Sequence, residues 1–404
     1  MGGEVLLGSL LADVEVGVAG GTQTSAPADG EWGVLRLSAM SSGQFTGAQA
    51  KRLTVQTSAP HRYEVRDDDV LMVRVNGAQH LVGSVRSVAR SQRGLLLSDL
   101  LFRIIPDEDR LLPRFLELLL GSDDVRRQIR AAMRGSSGQF QLPQAAVKAL
   151  NVPGVPLEDQ RRIIAAHAAF ERRIEVLESL LGKLLVVEQA LSVAALAQTQ
   201  SSEWDQVSLE SVATVAAGVT LGSEPVGDGT VELPYLRVAN VLDGRIDTTD
   251  VKRVRILRAH YERYALKQGD LLLTEGGDLD KLGRGAVWDG RIKACLHQNH
   301  VFRVRCGKAL LPDFLALYTA SPEGRAYFQR VGKQTTNLAS INSTQVKQMP
   351  VPLPPVREQE RRLGPVRTVR ERAQTLERRI AKLRTIQQGV VEDFLARHAW
   401  ANAA

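Results

Sequence analysis

The 404-residue sequence is poor in cysteine and in aromatic residues: it has two cysteines, and Phe, Trp and Tyr together make up 5%. Two cysteines cannot build a disulfide framework, so a reducing cytoplasm is the expected compartment. The first residues contain no basic segment ahead of an apolar one, which argues against a secretory signal, and no stretch reaches the expected apolar length of a membrane span. The balance of 44% hydrophobic and 24% charged residues predicts a globular protein of two to three domains.

The sequence also lacks the motifs of common catalytic sites. It has no G-x-x-x-x-G-K-[ST] phosphate loop, no G-x-S-x-G nucleophile elbow, and no Asn-Pro-Pro-aromatic or Asp-Pro-Pro-aromatic tetrapeptide of amino-methyltransferases. We therefore expect a chain with recognition domains and no active site.

Two clusters could hold a metal, but each has a simpler interpretation. Cys295, His297 and His300 are close in sequence, yet an extended strand would place His300 on the face opposite to the other two. Asp67–Asp69 could bind Mg²⁺, but the equivalent segment of the second half keeps only Asp270, which favours a turn before a strand. We expect ordinary strand and turn contacts at both places, with no metal.

The net charge of +7 is unevenly placed along the chain. Residues 1–202 carry 22 Lys+Arg and 22 Asp+Glu, residues 203–356 carry 19 and 17, and residues 357–404 carry 11 and 6. Most of the excess therefore belongs to the last segment. A basic groove spread over one DNA-binding domain is not indicated by the composition.

An order of landmarks repeats after about 200 residues. The matching segments are Leu35–Leu37 and Leu236–Val238, Arg62–Tyr63 and Arg263–Tyr264, Asp69–Leu71 and Asp270–Leu272, Phe102–Arg103 and Phe302–Arg303, Leu112–Leu116 and Leu311–Leu315, and Val152–Gln160 and Val351–Gln359. A period this long indicates a duplicated domain and not a solenoid. Each copy begins with short alternating apolar runs that predict strands, and contains a helical segment near Pro113–Ala132 or Pro312–Arg330.

A proline-rich segment in each copy leads into a long helix with the 3-4-3-4 apolar spacing of a coiled coil. The predicted seam residues are Phe170, Ile174, Leu177, Leu181 and Leu184 in the first helix, and Leu376, Ile380, Leu383 and then Val390 in the second. Glu188 and Gln387 interrupt the two seams. Each could be a buried polar residue that fixes the register, or could face solvent at a bend.

These patterns predict an α+β fold in which two similar mixed α/β domains are separated and joined by two long helices. We expect the helices to form an antiparallel coiled coil, with a pseudo-twofold internal repeat. The predicted boundaries are 1–152 for the first recognition domain, 153–202 for the central helix, 203–351 for the second recognition domain and 352–404 for the last helix.

Three loop regions in each domain carry polar side chains able to reach DNA bases or phosphates. They are Arg36–Ser42, Arg74–Arg86 and Arg134–Gln139 in the first domain, and Arg237–Asn240, Gly276–Arg284 and Lys333–Asn337 in the second. Fast divergence of surface loops is the alternative explanation of their differences. The candidates are Arg36, Ser38, Arg74, Asn76, Gln79, Arg86, Ser137 and Gln139 in the first domain, and Arg237, Asn240, Lys281, Arg284, Lys333, Gln334, Thr335, Thr336 and Asn337 in the second.

The second half resembles the specificity subunits of type I restriction–modification systems. The resemblance lies in Tyr235–Asn240, Gly269–Thr274, Leu282–Arg284, Pro352–Gln359 and the helical segment Arg378–Arg384. It extends more loosely over the first half, which has Gly154 and Asp159 in its proline-rich motif and lacks the tryptophan-containing opening Glu203–Val207.

The resemblance implies a non-catalytic adaptor for double-stranded DNA. Each globular domain would read one half of a split target, and the helices would set the spacer and bind two modification subunits. S-adenosylmethionine, ATP and Mg²⁺ would bind to the modification subunits and to an ATP-driven restriction subunit, with no cofactor on this chain. The arginine-rich outer face of the last helix is then a candidate partner surface. The alternatives are a coiled-coil adaptor without DNA specificity and a self-contained methyltransferase or nuclease.

Overall fold

The structure is a computed structural model that describes residues 3–19, 21–40, 45–54, 60–135, 138–196, 204–222, 225–334 and 339–400. The chain divides into two compact units. The first contains Met1–Ser179 and Glu377–Ala404, and the second contains Leu180–Leu376. Both long helices run from one unit into the other, so each unit consists of one globular head and a segment of each helix.

The first unit begins with a head of short strands and three short helices. Its strands are β1 Glu4–Leu6, β2 Leu11–Val16, β3 Thr22–Gln23, β4 Gly33–Leu35, β5 Ala50–Leu53, β6 Val70–Val73, β7 Val75–Asn76, β8 Val85–Ser87, β9 Leu95–Leu96, β10 Leu101–Pro106, β11 Phe140–Gln141 and β12 Asn151–Pro153. Its helices are α1 Pro113–Gly121, α2 Asp123–Ala132 and α3 Gln144–Lys148, and α4 Leu157–Leu196 follows the head.

The second head has a matching set of elements. Its strands are β13 Gln206–Ser208, β14 Ala213–Ala217, β15 Thr230–Leu236, β16 Lys252–Leu257, β17 Leu271–Thr274, β18 Gly276–Gly277, β19 Gly285–Val287, β20 Leu296–His297, β21 Val301–Cys306, β22 Lys333–Gln334, β23 Ala339–Ser340 and β24 Pro350–Pro352. Its helices are α5 Tyr261–Tyr264, α6 Pro312–Ala320, α7 Pro322–Val331 and α8 Ser343–Lys347, and α9 Val356–Trp400 follows the head.

The sheets of the two heads share most of their topology, which confirms the internal repeat. The central four-stranded sheet has the order β2-β10-β6-β8 in the first head and β14-β21-β17-β19 in the second. A second sheet has the order β3-β5-β4-β9 in the first head and β16-β15-β20 in the second, and each of these sheets contains one parallel pairing, β4-β9 or β15-β20. The first strand of each head pairs with the proline-rich strand that precedes the long helix.

Each predicted helical segment consists of two helices. The first segment is broken at Ser122, which has an extended backbone between α1 and α2, and Ser321 breaks the second in the same way. The Ser321 side chain accepts a hydrogen bond from the Gly324 N–H at 3.2 Å and so caps α7. The apolar faces of these helices cover the central sheets, with Phe115 and Phe314 fully buried.

Within each unit the segments of α4 and α9 pair in antiparallel directions, as predicted. In the first unit, Glu178 forms an ion pair with Arg384, and Asp159 lies 3.4 Å from His398. In the second unit, the Arg362 guanidinium donates to the Ala195 carbonyl at 2.8 Å, so residue numbers again fall along α9 as they rise along α4. The α+β fold with two mixed domains joined by long helices is therefore confirmed.

The predicted seam residues lie on the facing sides of these segments. Ile174, Leu177 and Ile380 are buried, whereas Phe170, Leu181, Leu184, Leu376 and Leu383 are half-buried. One assignment in the last helix was wrong: Val390 is 37% exposed and Val391, the next residue, is 4% exposed. The seam advances by four residues from Leu383 to Gln387 and by four more to Val391, where the predicted spacing was four and then three. The extra residue places Val391, and not Val390, in the core of the first unit.

The two polar interruptions are partnered inside the seam and do not face solvent at a bend. In the second unit Glu188 has an 18% exposed side chain, and one carboxylate oxygen accepts from Arg370 Nε at 2.8 Å. In the first unit the Gln387 side-chain amide donates to the His167 carbonyl at 3.3 Å. The hypothesis of buried polar seam positions therefore describes both residues.

Helix α4 is long and apolar enough to cross a membrane by length and composition alone, which contradicts the expectation that no stretch reaches that length. A single helix of this kind is weak evidence for a membrane span. Its apolar character has two sources, because α4 contributes the seam on one side and also exposes Leu185, Val186 and Val193 on the other.

A buried glutamine in the first turn of each long helix joins the helix to its head. Gln160 is 1% exposed, and its amide accepts from the Leu112 N–H at 2.9 Å and donates to the carbonyls of Arg110 and Val155. Gln359 is fully buried and makes the equivalent three bonds. The Asp-Gln and Glu-Gln pairs of the sequence motif are therefore a repeated structural joint between head and helix.

Candidate nucleic-acid interface

Strand pairing brings two of the three predicted loop regions together in each head. In the first head β7 pairs with β11, so the segment around Asn76 lies beside Phe140. In the second head β18, β23 and β22 form one small sheet, which places Gly276 and Lys333 opposite the same residue, Ser340. The third predicted region in each head follows β4 or β15 and belongs to the other sheet.

Arg36 and Arg237 occupy equivalent positions and are both tied to their own head. A terminal nitrogen of Arg36 donates to the Thr24 carbonyl, and Arg237 donates to the Asp250 carboxylate at 2.9 Å. In each arginine Nε is buried and has no hydrogen-bond partner among the described residues. Each guanidinium group is therefore held in place by its own head, while its Nε–H group has no hydrogen-bond acceptor among the described residues.

Asn240 does not fit its predicted role as a DNA contact. It is 3% exposed, its side-chain oxygen accepts from the Arg237 N–H at 2.9 Å, and its amide donates to the carbonyls of Asp247 and Asp250. All its polar atoms are used inside the loop, because this asparagine replaces backbone partners in an irregular turn. The correction is that Asn240 shapes the loop and does not reach its surface.

The remaining candidates of the first head differ in accessibility. Ser38, Gln79 and Gln139 are exposed, whereas Arg74, Asn76 and Arg86 are half-buried. Asn76 accepts from the Ala78 N–H at 2.9 Å and so forms the turn after β7. Ser137 lies outside the described residues.

The second head exposes a group of polar side chains at its small sheet. Lys333 and Gln334 on β22 are exposed, Lys281 forms an ion pair with Asp278, and Arg284 is half-buried with a buried Nε that lacks a hydrogen-bond partner among the described residues. Thr335, Thr336 and Asn337 lie outside the described residues.

The acidic cluster at Asp67–Asp69 forms a turn, as predicted. Asp69 accepts from the Arg66 N–H at 2.8 Å and pairs with the buried Arg103, and Asp68 has the left-handed φ of 65°. In the second head Asp270 accepts from the Lys267 N–H at 2.7 Å and binds Arg305 through both carboxylate oxygens. The repeated carboxylate therefore joins a turn to the central sheet in each head.

The cysteine–histidine segment belongs to the core of the second head. His297 is fully buried, with its ring nitrogens 3.0 Å from the Tyr264 carbonyl and 3.4 Å from the Ala216 carbonyl. Burial lowers the pKa of His297 to about 4 and raises the pKa of the Cys295 thiol to about 12. Among the residues that the structure describes, no group of three His, Cys, Asp or Glu side chains is placed to hold a metal ion.

The arginine-rich face of α9 is less available than its sequence suggested. Arg362 is 8% exposed and lies 4.5 Å from the ring centroid of Trp204, so the tryptophan of the second opening segment packs against α9. Arg361 is bound to Glu358, and Arg367 to Asp313. Of these arginines Arg362 is buried, whereas Arg361 and Arg367 are ion-paired but have side chains that are 68% and 43% exposed.

A groove of about 1150 Å³ lies in the second unit between the head, α4 and α9. Its lining includes Leu185 and Val193 of α4, which are 47% and 56% exposed, together with Trp288, Arg325 and Arg370. An exposed apolar patch of this kind, rimmed by charged groups, is typical of a protein-binding surface.

Comparison with known proteins identifies the second half of the chain. Residues 201–383 match the family model described as the type I restriction modification DNA specificity domain. Residues 201–383 are therefore similar to the specificity domains of that family. The resemblance inferred from the sequence is thereby confirmed, and the specificity domain contains the second head and the helical segment that follows it.

Two type I restriction enzyme specificity subunits are among the relatives of this chain. The chain is 28% identical over 206 residues to the type I restriction enzyme EcoKI specificity subunit of Escherichia coli K12, a match that covers 50% of this chain and 43% of that protein. It is 29% identical over 129 residues to the putative MjaX specificity subunit of Methanocaldococcus jannaschii, covering 31% and 30%. The matches therefore span less than half the length of these relatives.

Solved structures extend the similarity of fold to almost the whole chain. The S subunit of a type I restriction–modification system from M. genitalium has a TM-score of 0.54 at 13% identity, with 98% of this chain and 96% of that chain covered. A chain from a structure of type I restriction–modification complex assembly has a TM-score of 0.52 at 19% identity, with coverage of 98% and 97%. At these identities the likeness concerns the fold.

Proposed function

We propose that this chain is the DNA-recognition subunit of a type I restriction–modification complex, in which each head reads one half of a bipartite target. The main observation in its support is that the two heads share one scaffold but have different residues in their loops. The sheets, the turn carboxylates and the helix joints repeat between the heads, while the polar residues around β7 and β18 differ. A common framework with different contact residues is what two readers of different half-sites require.

The proposed complex assigns catalysis to other chains. Modification subunits would bring S-adenosylmethionine, and an ATP-dependent restriction subunit would bring ATP and Mg²⁺, so this chain would act without a cofactor in the cytoplasm. The family described for residues 201–383 supports this role, because its description is that of a DNA specificity domain. The helices would space the half-sites and provide the surface on which modification subunits assemble.

We place the docking surface for a modification subunit on the outer side of α4 in the second unit. Leu185, Val186 and Val193 are 47%, 69% and 56% exposed there, and the groove beside the head begins at this helix. Covering exposed apolar side chains stabilises a complex by roughly 25 cal/mol per Å² of apolar area removed from water. The engaged arginines of α9 favour this surface over the one inferred from the charge pattern.

The recognition role is tested by co-expressing the chain with its modification subunits and mapping methylated bases across the host genome. We expect one bipartite motif with a fixed spacer. Replacing residues 203–350 by the corresponding head of a related subunit should change one half of the motif and leave the other half unchanged. A continuous motif, or a change in both halves, would contradict the modular assignment.

The docking surface is tested by Val186→Asp, with Val226→Asp as the matched control. Val226 is 90% exposed in the second head, so the control introduces the same charge away from α4. We expect Val186→Asp to weaken binding of the modification subunit by at least tenfold in surface plasmon resonance, because a charge on an apolar contact must be desolvated. Equal binding of both variants would exclude this side of α4.

A further inference from the structure

Arg74 begins the loop that leaves the central sheet of the first head. It follows β6 directly, its N–H donates to the Leu100 carbonyl at 2.9 Å, and its own carbonyl accepts from the Leu142 N–H at 2.9 Å. These two hydrogen bonds fix the backbone of Arg74 between the residue that precedes β10 and the residue that follows β11. Arg74 is one of the DNA contacts predicted from the sequence for the first head.

Glu275 has the same backbone environment in the second head. It follows β17, its N–H donates to the His300 carbonyl at 3.0 Å, and its carbonyl accepts from the Ile341 N–H at 2.8 Å. Arg74 and Glu275 are therefore structurally equivalent, and the charge at this position is opposite in the two heads. Glu275 is not among the DNA contacts predicted from the sequence, because those candidates are cations, amides and hydroxyls and include no carboxylate.

Both side chains are oriented by neighbours. The Arg74 guanidinium donates to the Asp99 carbonyl at 2.9 Å and lies 5.7 Å from the ring centroid of Phe102. A Glu275 carboxylate oxygen lies 2.6 Å from Nδ1 of His300, and the two side chains are 30% and 56% exposed. Side chains held in this way lose less conformational freedom on binding than free surface residues do.

Charge is kept at several other equivalent positions of the two heads. The equivalent positions Arg36 and Arg237 keep their charge, and each head keeps an ion pair across its second sheet. These pairs are Glu31–Arg52 in the first head and Glu232–Arg253, at 3.8 Å, in the second. Position 74/275 differs from these positions, because its charge changes sign between the two heads.

We propose that position 74/275 determines sequence specificity in each head, an inference that rests on the proposed DNA-recognition function. An arginine can donate two hydrogen bonds to O6 and N7 of guanine. A carboxylate is repelled by phosphates, but it can accept a hydrogen bond from the N4 amino group of cytosine. Arg74 therefore reads a guanine in one half-site, and Glu275 reads a cytosine in the other.

The test uses the complete complex with its modification subunits and the variants Glu275→Gln and Arg74→Gln. Glu262→Gln is the matched control, since Glu262 is 77% exposed in the same head and pairs only loosely with Lys267 at 3.8 Å. Methylated bases are mapped for each complex. We expect Glu275→Gln to relax the requirement for one C·G pair in one half-site, with a roughly ten- to hundred-fold loss of discrimination. Arg74→Gln should relax a G·C pair in the other half.

An unchanged motif in the Glu275→Gln complex at wild-type methylation levels would overturn the inference while the proposed function stands. If the wild-type complex gave no bipartite motif, the proposed function itself would fail. Should a variant lose methylation altogether, its complex is titrated with four duplexes that differ only at the affected base pair. Equalised affinities would support base reading, and a uniform loss with the original preference retained would overturn it.

Discussion

One buried glutamine side chain joins each head to the long helix that follows it. Gln359 satisfies one N–H and two carbonyl groups away from water, and Gln160 does the same in the other copy. The sequence motif correctly indicated that this segment matters in both copies. It could not indicate the reason, because two of the three partners of Gln359, Leu311 and Ala309, lie 48 and 50 residues earlier in the chain.

Gln359→Leu should destabilise the second unit by roughly 2–4 kcal/mol, because the replacement keeps the volume but leaves several buried backbone groups unpaired. Urea unfolding measures the change. Gln388→Leu on the exposed side of the same helix is the control, and we expect it to alter the free energy of unfolding by less than about 0.5 kcal/mol. Equal effects of the two variants would contradict the role of the buried amide.

His297 should make the second head sensitive to acid. Its folded pKa of about 4 lies below the ordinary value of 6.5, so the unfolded state binds its proton first as the pH falls. This stabilising contribution is complete above pH 6.5 and is lost as the pH falls to about 4, by roughly 3 kcal/mol in total. His297→Asn should flatten the loss of stability in that window, whereas the exposed-site variant His260→Asn should keep the wild-type slope.

At the scale of the element, the two long helices were the most predictable part of the fold and the loops the least. Heptad spacing depends on local sequence alone, so α4, α9 and most seam residues followed from periodicity. The shift from Val390 to Val391 did not, because it reflects packing of α9 against the first head. Loop side chains such as Asn240 were misjudged for a similar reason, since their partners belong to an irregular turn with no periodic signal.

Substitution of Glu188 tests how a polar residue in the seam affects the free energy of unfolding. Its ion pair with the partly exposed Arg370 offsets the cost of placing a carboxylate in the seam. We expect Glu188→Leu to leave the free energy of unfolding unchanged or to raise it by up to about 1 kcal/mol, and Gln189→Leu, at the exposed neighbouring position, to have no effect. A loss above about 1 kcal/mol in urea unfolding would show that the ion pair is net stabilising.

At the scale of the whole molecule, each unit depends on a segment of α9. Leu395 and Val391 belong to the core of the first unit, where Phe394 also meets Phe115 at a centroid distance of 6.4 Å, and Leu363 belongs to the core of the second. Leu395→Ala should therefore destabilise the first unit by about 2–5 kcal/mol, and Leu363→Ala the second by a similar amount. Hydrogen exchange of β6 and β17 reads out the two units separately. Faster exchange of β17 in Leu395→Ala would contradict the division.

The division of α9 between the two units has a consequence for synthesis on the ribosome. The second unit needs only residues up to Leu376, whereas the core of the first unit includes Val391 and Leu395. The head that is translated first therefore cannot complete its core until nearly 200 residues after the second head has begun to emerge. The first head is therefore the part of the nascent chain whose core stays incomplete for the longest time. An incomplete core exposes apolar surface, which binds chaperones and promotes aggregation.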